Sequence, residues 1–260
     1  MKNGLIYMRY NHPRFLFRRF LIMKNVKPGD IFLEIGPGNL NLSIDLIKKF
    51  NKGVLIDFNT TDVEIIFTGL PEKHKQKLNL IIADFINYNN FLSKFDSIIT
   101  CDVLEHVEEE EIFLRKTFDL LNDNGQLIVS VPARKKYWSV DDEIVGHFRR
   151  YEKKEIFEKL SATGFSDIKI VSYGFPFTNF SRLLRVQLAK NQYIEKAEWD
   201  KIKQSQKSAF IINRNSKLNL AAYIINKYTL FPLFLISSLF NRFDFSDGYL
   251  VTAKKNNNST

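Results

Sequence analysis

The sequence predicts an α/β fold with a seven-stranded, mostly parallel sheet that carries helices on both faces. Two observations predict it. Between residues 31 and 180, short apolar runs of strand type alternate with longer segments of helical periodicity. Near the end of the chain, "DGYLVTAKK" alternates polar and apolar residues and predicts one more strand. A repeated strand–helix–strand order requires right-handed crossovers, which make successive strands parallel.

The first half of the alternating region supplies four strands. "IFLEI" is the first, and "LNLSIDLIKKF" after it places Leu40, Ile44 and Ile47 on one face of a helix. The next three strands are "GVLID", "KLNLIIADF" and "FDSIITCDV". They end near Asp57, Asp84 and Asp102 in that order.

The second half supplies two strands and two helices. "EEEEIFLRKTFDLL" predicts a helix with acidic residues in its first turns, where the helix dipole favours them, and "NDNG" predicts a turn after it. "GQLIVSVP" is the fifth strand. "EKKEIFEKLSATGF" predicts a helix with Ile156, Phe157 and Leu160 facing inward and Gly164 after its end, and "DIKIVSYGF" is the sixth strand.

The chain divides into five predicted segments. They are an N-terminal cap helix at 1–29, a core at 30–180, a helical insertion at 181–245 that covers the acceptor site, a final strand at 246–255 and a disordered tail at 256–260. The insertion is rich in large apolar residues, which would equally suit a homodimer surface. The run Leu230–Phe240 is too short to span a bilayer.

Composition places limits on the class of protein. A single cysteine, Cys101, excludes an internal disulfide, and with no signal-peptide pattern at the start it favours a cytoplasmic protein. Of the net charge of +9, residues 1–30 hold seven Lys/Arg and one Asp, and residues 181–260 hold thirteen Lys/Arg and five Asp/Glu. Basic ends suit an acidic substrate, a nucleic acid or an anionic membrane surface, but they also suit solubility alone.

A carboxylate and two glycines stand where the first strand passes into the first helix. Glu34 precedes Gly36, Pro37 and Gly38, and Asn41 occupies the place of the third glycine in a dinucleotide-binding turn. A negative charge at this turn is poorly suited to a pyrophosphate and suits a ligand that carries an ammonium group. Glu34, Asp57, Asp84 and Asp102 would all lie at the carboxyl edge of the sheet, where such folds bind ligands.

These motifs resemble those of class I S-adenosylmethionine-dependent methyltransferases. "EIGPGNL" resembles the first motif of that superfamily, although Leu40 stands at its third glycine position, and "VLID", "ADF" and "CDVLEHV" resemble the next three in order. "GYLVTAKK" resembles the antiparallel seventh strand of its Rossmann-like fold. The resemblance implies S-adenosyl-L-methionine as cofactor and S-adenosyl-L-homocysteine as product.

The resemblance also implies a set of cofactor contacts. Glu34 would hold the methionine amine, Asp57 the ribose hydroxyls, and Asp84 the adenine amino group. His106 would either approach the sulfonium or cap the following helix. The complete set of implied cofactor residues is Tyr10, Glu34, Gly36, Pro37, Gly38, Asp57, Phe58, Asp84, Phe85, Cys101, Asp102, Val103 and His106, with Phe85 beside the adenine ring and Cys101, Asp102 and Val103 bordering the methionine end.

The acceptor side is predicted from "GHFRRY", a segment similar to one in related bacterial methyltransferases. His147 has the intrinsic pKa of a general base, Arg149 could pair with an acidic substrate, and Tyr151 completes the catalytic candidates. The alternative is that His147 and Arg149 tie this loop to Asp141 or Asp142 as a structural latch.

The predicted function is methyl transfer to oxygen or nitrogen of a small-molecule acceptor, of apolar, aromatic or acidic character as in natural-product biosynthesis. No metal site is predicted, because His12, His74, His106 and His147 are scattered along the chain. No DNA partner is expected. The alternatives are an RNA- or membrane-surface-binding protein that retains this fold, and an NAD-dependent oxidoreductase, which Glu34 and Asn41 disfavour.

Overall fold

A seven-stranded sheet forms the centre of the protein, as expected from the sequence. The structure is a computed structural model, and it describes residues 13–58, 60–183, 186 and 229–256. The strand order is β3-β2-β1-β4-β5-β7-β6, and only β7 runs antiparallel to its neighbours. The predicted Rossmann-like fold with an antiparallel last strand is confirmed.

The strands lie close to the segments that the sequence predicts. They are β1 (Gly29–Ile35), β2 (Phe50–Asp57), β3 (Leu78–Ile82), β4 (Phe95–Cys101), β5 (Leu121–Pro132), β6 (Phe165–Ser172) and β7 (Gly248–Lys255). The chain order reverses between β1 and β4, which are neighbours in the sheet. The carboxyl ends of β1 and β4 therefore flank a switch point, the place where open α/β sheets bind ligands.

Eight helices are named in the described residues. They are α1 (Pro13–Asn25), α2 (Asn41–Leu46), α3 (Thr60–Thr68), α4 (Glu72–Lys75), α5 (Glu110–Leu120), α6 (Val140–Val145), α7 (Lys153–Thr163) and α8 (Phe231–Ser238). Residues 177–183 are also helical, and single 3₁₀ turns form at Leu104–His106 and Lys135–Tyr137. Most of the predicted insertion at 181–245 and the predicted tail lie outside the described residues.

Helices cover both faces of the sheet and enclose two apolar clusters. One cluster joins α1, α2, α3 and α8 to the sheet, with Phe17, Ile22 and Phe234 buried in it. The other lies under α5 and α7, with Phe113 and Leu160 buried in it. Both faces are covered, which is why the central strands read as nearly continuous apolar runs.

Three local expectations differ from the structure. The first helix after β1 is only six residues long, because the chain already enters β2 at Phe50. The "NDNG" segment does not separate α5 from the fifth strand; it lies inside β5 as an irregularity between the pairs Leu121–Phe95 and Gln126–Ser97. Phe157 is 47% exposed, because it lies about 100° around the helix from Ile156.

Candidate functional site

The two glycines in the turn after β1 have different surroundings. Both Gly36 and Gly38 have positive φ, a conformation that glycine adopts without strain. A Cβ on Gly36 would lie 2.4 Å from Cγ2 of Val103, so this glycine allows the loop after β4 to approach the turn. Apart from the adjoining residues of the turn, no atom in the described part of the chain lies within 4 Å of the corresponding position on Gly38. The turn therefore has free space beside Gly38, where a ligand could approach the backbone.

Leu40, at the third glycine position of the motif, closes the turn. It has positive φ, precedes α2 and is fully buried, so its side chain packs into the core. A leucine in this conformation carries strain of about 1–2 kcal/mol relative to glycine, which its burial offsets. The presence of leucine instead of glycine at position 40 therefore leaves the space beside Gly38 open.

Glu34 is buried against the first helix rather than exposed at the edge. Its side chain accepts a 2.6 Å hydrogen bond from the Ser43 hydroxyl of α2, and the residue is 3% exposed. Burial raises the pKa of Glu34 to about 8, although the Ser43 hydrogen bond and the charge of Arg18 act in the opposite direction. At neutral pH the carboxyl is therefore mostly protonated, in contrast to the ionised anchor that the sequence suggested.

The ends of β2 and β3 present their predicted residues in different ways. Asp57 is half-buried at the end of β2, and the ring of Phe58 beside it is 46% exposed. Asp84 is exposed and accepts hydrogen bonds from the Ile86 amide and the Asn87 side chain, so it caps its own loop.

Phe85 does not have the position expected of it. Its ring is 6% exposed and packs in the core against Phe113, with 4.9 Å between the ring centroids, and Lys116 lies over its face. The expectation that this ring lies beside an adenine is therefore corrected, because the side chain points into the protein.

The end of β4 is held by two arginines from α1. Asp102 has positive φ and forms ion pairs with Arg18 and Arg14, and it accepts a hydrogen bond from Ser130 of β5. Burial opposes the ionisation of Asp102, but the two guanidinium groups outweigh it and hold its pKa well below the usual range. The preceding thiol, Cys101, has a pKa raised by burial to about 12, which makes it a poor nucleophile.

The predicted acceptor loop is tied down by a buried carboxylate. Asp142 Oδ1 lies 2.8 Å from Nδ1 of His147 and accepts a 2.7 Å hydrogen bond from Nε of Arg150. Burial disfavours the charge on Asp142, but its contacts with His147 and Arg150 lower its pKa to about 2. This is the latch that the sequence offered as the alternative for His147, with Arg150 rather than Arg149 as its second member.

Arg149 and Tyr151 are directed to the start of α5. Arg149 pairs with Glu110 at 2.9 Å and also donates to the Glu108 carbonyl. The Tyr151 hydroxyl donates a 2.7 Å hydrogen bond to Glu110, and burial together with that carboxylate raises the Tyr151 pKa well above its usual value. Tyr151 is fully buried, so its predicted catalytic role is corrected to a structural one.

Two of the histidines that are far apart in sequence meet at the ends of β4 and β5. Ligand atoms of Glu105, His106 and His147 all lie within 4.8 Å of one another, and the two imidazole centroids are 4.8 Å apart. Nδ1 of His106 faces the Gly146 carbonyl at 3.2 Å, and burial lowers the His106 pKa to about 4. The sequence, in which the histidines are scattered, did not predict this group, because His147 comes from the connection after the neighbouring strand, β5.

Among the other predicted residues, Tyr10 and His12 lie outside the described residues. Pro37 lies between the two glycines of the turn, with its carbonyl accepting from Leu40. In the described part of the chain, no helix combines the length and apolar character needed to cross a membrane.

Comparisons with known proteins agree with this fold. A family model described as a methyltransferase domain matches residues 8–170. YcgJ from Bacillus subtilis is similar in structure, with a TM-score of 0.60 and 13% identity over 92% of this chain and 98% of that chain. A search of curated proteins gives no match.

Two further solved structures have the same fold and different activities. Phosphoethanolamine N-methyltransferase 2 from Haemonchus contortus, solved with phosphomonomethylethanolamine and S-adenosylhomocysteine, gives a TM-score of 0.60 and 14% identity over 95% of this chain and 54% of that chain. The 4+2 cyclase SpnF gives 0.56 and 16% identity over 94% and 82%. The fold by itself therefore does not fix the reaction.

Proposed function

The chain belongs to the methyltransferase-domain family, as an S-adenosylmethionine-dependent methyltransferase, and we propose that it methylates oxygen or nitrogen of a small-molecule acceptor. The observation that supports the cofactor site is the space beside Gly38, in the turn that follows Glu34 and β1; the neighbouring parallel strand β2 ends at Asp57. A sulfonium cofactor laid across this turn would place its amine toward Glu34 and its ribose toward Asp57. Its methionine end would reach the loop after β4.

The reaction needs little covalent chemistry from the protein. The acceptor atom attacks the methyl carbon in line with the carbon–sulfur bond, and the electron pair of that bond passes to sulfur. Holding the two reactants in line, in a site from which water is excluded, supplies most of the rate enhancement for such a transfer. The acceptor site would then lie beyond the methionine end, near Asp102 and His147.

The second part of the proposal is that the acceptor molecule is acidic or apolar. Arg14 and Arg18 bring two buried guanidinium groups to the end of β4, where either could exchange Asp102 for a ligand carboxylate. The exposed rings of Phe243 and Phe245 stack at 5.6 Å beyond α8 and offer an apolar surface. The same proposal includes a cytoplasmic location for the protein.

Binding of S-adenosylmethionine to two site variants tests the cofactor site. Asp57→Ala removes the ribose acceptor, and Gly38→Asn fills the open space with a residue that tolerates positive φ. We expect each to weaken binding at least about tenfold in isothermal titration, since charge-assisted hydrogen bonds contribute about 1.5–3 kcal/mol.

Matched controls come from exposed positions away from the turn. Asp123→Ala, in the irregular part of β5, and Gly69→Asn, after α3, should bind the cofactor like the parent protein. If Asp57→Ala and Gly38→Asn also bind like the parent, the cofactor does not lie across this turn. Binding of NADH in its place would favour the oxidoreductase alternative.

A further inference from the structure

Glu105, His106 and His147 form a group of possible metal ligands at the same edge of the sheet as the proposed cofactor site. Glu105 and His106 belong to the 3₁₀ turn directly after β4, and His147 follows α6 in the connection after β5. Because β4 and β5 are adjacent and parallel, both connections begin at the same edge of the sheet. The fold thus joins residues 41 positions apart into one group.

Within the described part of the chain, the buried carboxyl group of Glu105 has no hydrogen-bond partner. The residue is fully buried, and neither side-chain oxygen has a hydrogen-bond partner among the described residues. Nε2 of His147 lies 3.8 Å from Oε1, beyond hydrogen-bonding distance. Buried carboxylates are normally hydrogen-bonded, ion-paired or coordinated to a metal, so a bound cation would supply the partner that Glu105 lacks among the described residues.

Both histidines are oriented by contacts on one nitrogen, which leaves the other nitrogen available. Nδ1 of His147 contacts the Asp142 carboxylate at 2.8 Å, and Nδ1 of His106 contacts the Gly146 carbonyl at 3.2 Å. Metal-binding histidines are typically held in this way, with a carboxylate or carbonyl on the nitrogen opposite the metal. The Asp142 latch and the candidate ligands are thus parts of one arrangement.

We propose that Glu105, His106 and His147 bind a divalent first-row transition-metal cation. Two imidazole nitrogens and one carboxylate suit Zn²⁺, Fe²⁺ or Mn²⁺, and such three-ligand sites leave coordination positions for an exogenous oxygen. The side chain of His147 is 12% exposed, so one member of the group is in contact with solvent.

The site also indicates the kind of acceptor, a step that rests on the proposed function. A hydroxyl bound to a divalent cation loses its proton more readily, and the resulting oxyanion is the stronger nucleophile. The oxyanion forms the new bond to the methyl carbon, the carbon–sulfur bond breaks toward sulfur, and the hydroxyl proton leaves to solvent. The site thus favours an O-methylated acceptor over an amine, which needs no such activation.

Direct metal binding tests the site without reference to catalysis. The EDTA-treated full chain is titrated with Mn²⁺, and the free ion is followed by electron paramagnetic resonance. We expect the parent to bind a single Mn²⁺ per chain, and Glu105→Gln and His147→Gln to weaken that binding about 100-fold. Glu109→Gln, an exposed carboxylate at the start of α5, and His74→Gln, in α4, should bind like the parent.

The outcomes separate the metal site from the cofactor site. Thermal unfolding of each variant establishes that it is folded, and S-adenosylmethionine binding in EDTA tests the glycine turn independently. If the folded Glu105→Gln variant binds Mn²⁺ like the parent, or if the parent binds neither Mn²⁺ nor Zn²⁺, the proposal is overturned. If the metal binds but does not stimulate methyl transfer to hydroxyl acceptors, the metal site is confirmed and its proposed catalytic role is wrong.

Discussion

Glu34 is the residue whose protonation state bears most directly on cofactor binding. Its burial beside α2 keeps the carboxyl protonated in most molecules at pH 7, because its pKa is about 8. An ammonium group in contact with the carboxyl favours the ionised form and lowers that pKa. Binding of a cofactor that carries an ammonium should therefore be coupled to loss of a proton.

We expect close to one proton to be released per S-adenosylmethionine bound at pH 7. Isothermal titration in buffers of different ionisation enthalpy measures this number, with EDTA present so that no metal contributes. Glu34→Gln, which carries no titratable proton at this position, should release none. Equal proton release from the parent and from this variant would place the amine away from Glu34.

The direction in which each side chain points is the part of the site that the sequence motifs do not predict. Phe85 follows β3, as the motif predicts, but its ring turns into the core toward Phe113. Tyr151 similarly follows the expected loop while its hydroxyl is bonded to Glu110. A motif fixes the strand end at which a residue stands, and packing with distant elements decides where its side chain points.

Helix α1 connects the N-terminal region to the edge of the sheet that holds the site. Its polar side supplies Arg14 and Arg18 to Asp102, and its apolar side packs on α8. Phe17 is 4% exposed, with its ring centroid 4.4 Å from that of Phe234. The apolar contact thus holds the helix that carries both arginines.

We expect Phe17→Ala to lower the free energy of unfolding by about 3–5 kcal/mol, because it removes a buried ring and leaves a cavity. Urea denaturation followed by circular dichroism measures the change. Phe157→Ala on α7 is the matched control, since that ring is half-exposed, and it should cost no more than about 1 kcal/mol. Equal losses for the two variants would show that α1 is not docked on α8 in solution.

At the scale of elements, strand positions are predictable and helix lengths are less so. An apolar run such as that of β2 forms a strand because it is buried between neighbouring strands. Burial on both faces also fixes the register in which β2 pairs with β1 and β3. The helical pattern after Gly38 extends to Phe50, yet α2 ends at Leu46 because the last residues of the pattern lead into β2. The "NDNG" segment likewise has the composition of a turn but is retained within β5.

In the whole molecule, the sheet order brings separate loops to one edge. The turn after β1, the loop after β4 and the connection after β5 meet there, since β1, β4 and β5 are consecutive in the sheet. The crossover rules predict this meeting of strand ends from the alternating pattern alone. They do not predict that His147 reaches Glu105, because that contact depends on how α6 and its capping carboxylate Asp142 place the loop.

Because the proposed cofactor site is built from loops of several strands, its occupancy should stabilise the whole fold. A ligand that binds only the folded state at one hundred times its dissociation constant adds about 2.7 kcal/mol. For a chain of this size that raises Tm by roughly 5–10 °C. Differential scanning calorimetry should give this increase with S-adenosylmethionine for the parent and for Gly69→Asn, and at most about half of it for Gly38→Asn, whose tenfold weaker binding lowers the stabilisation to about 1.4 kcal/mol. An equal increase with NADH, or an undiminished increase for Gly38→Asn, would contradict the assignment, because neither result is compatible with a sulfonium cofactor lying over the open glycine.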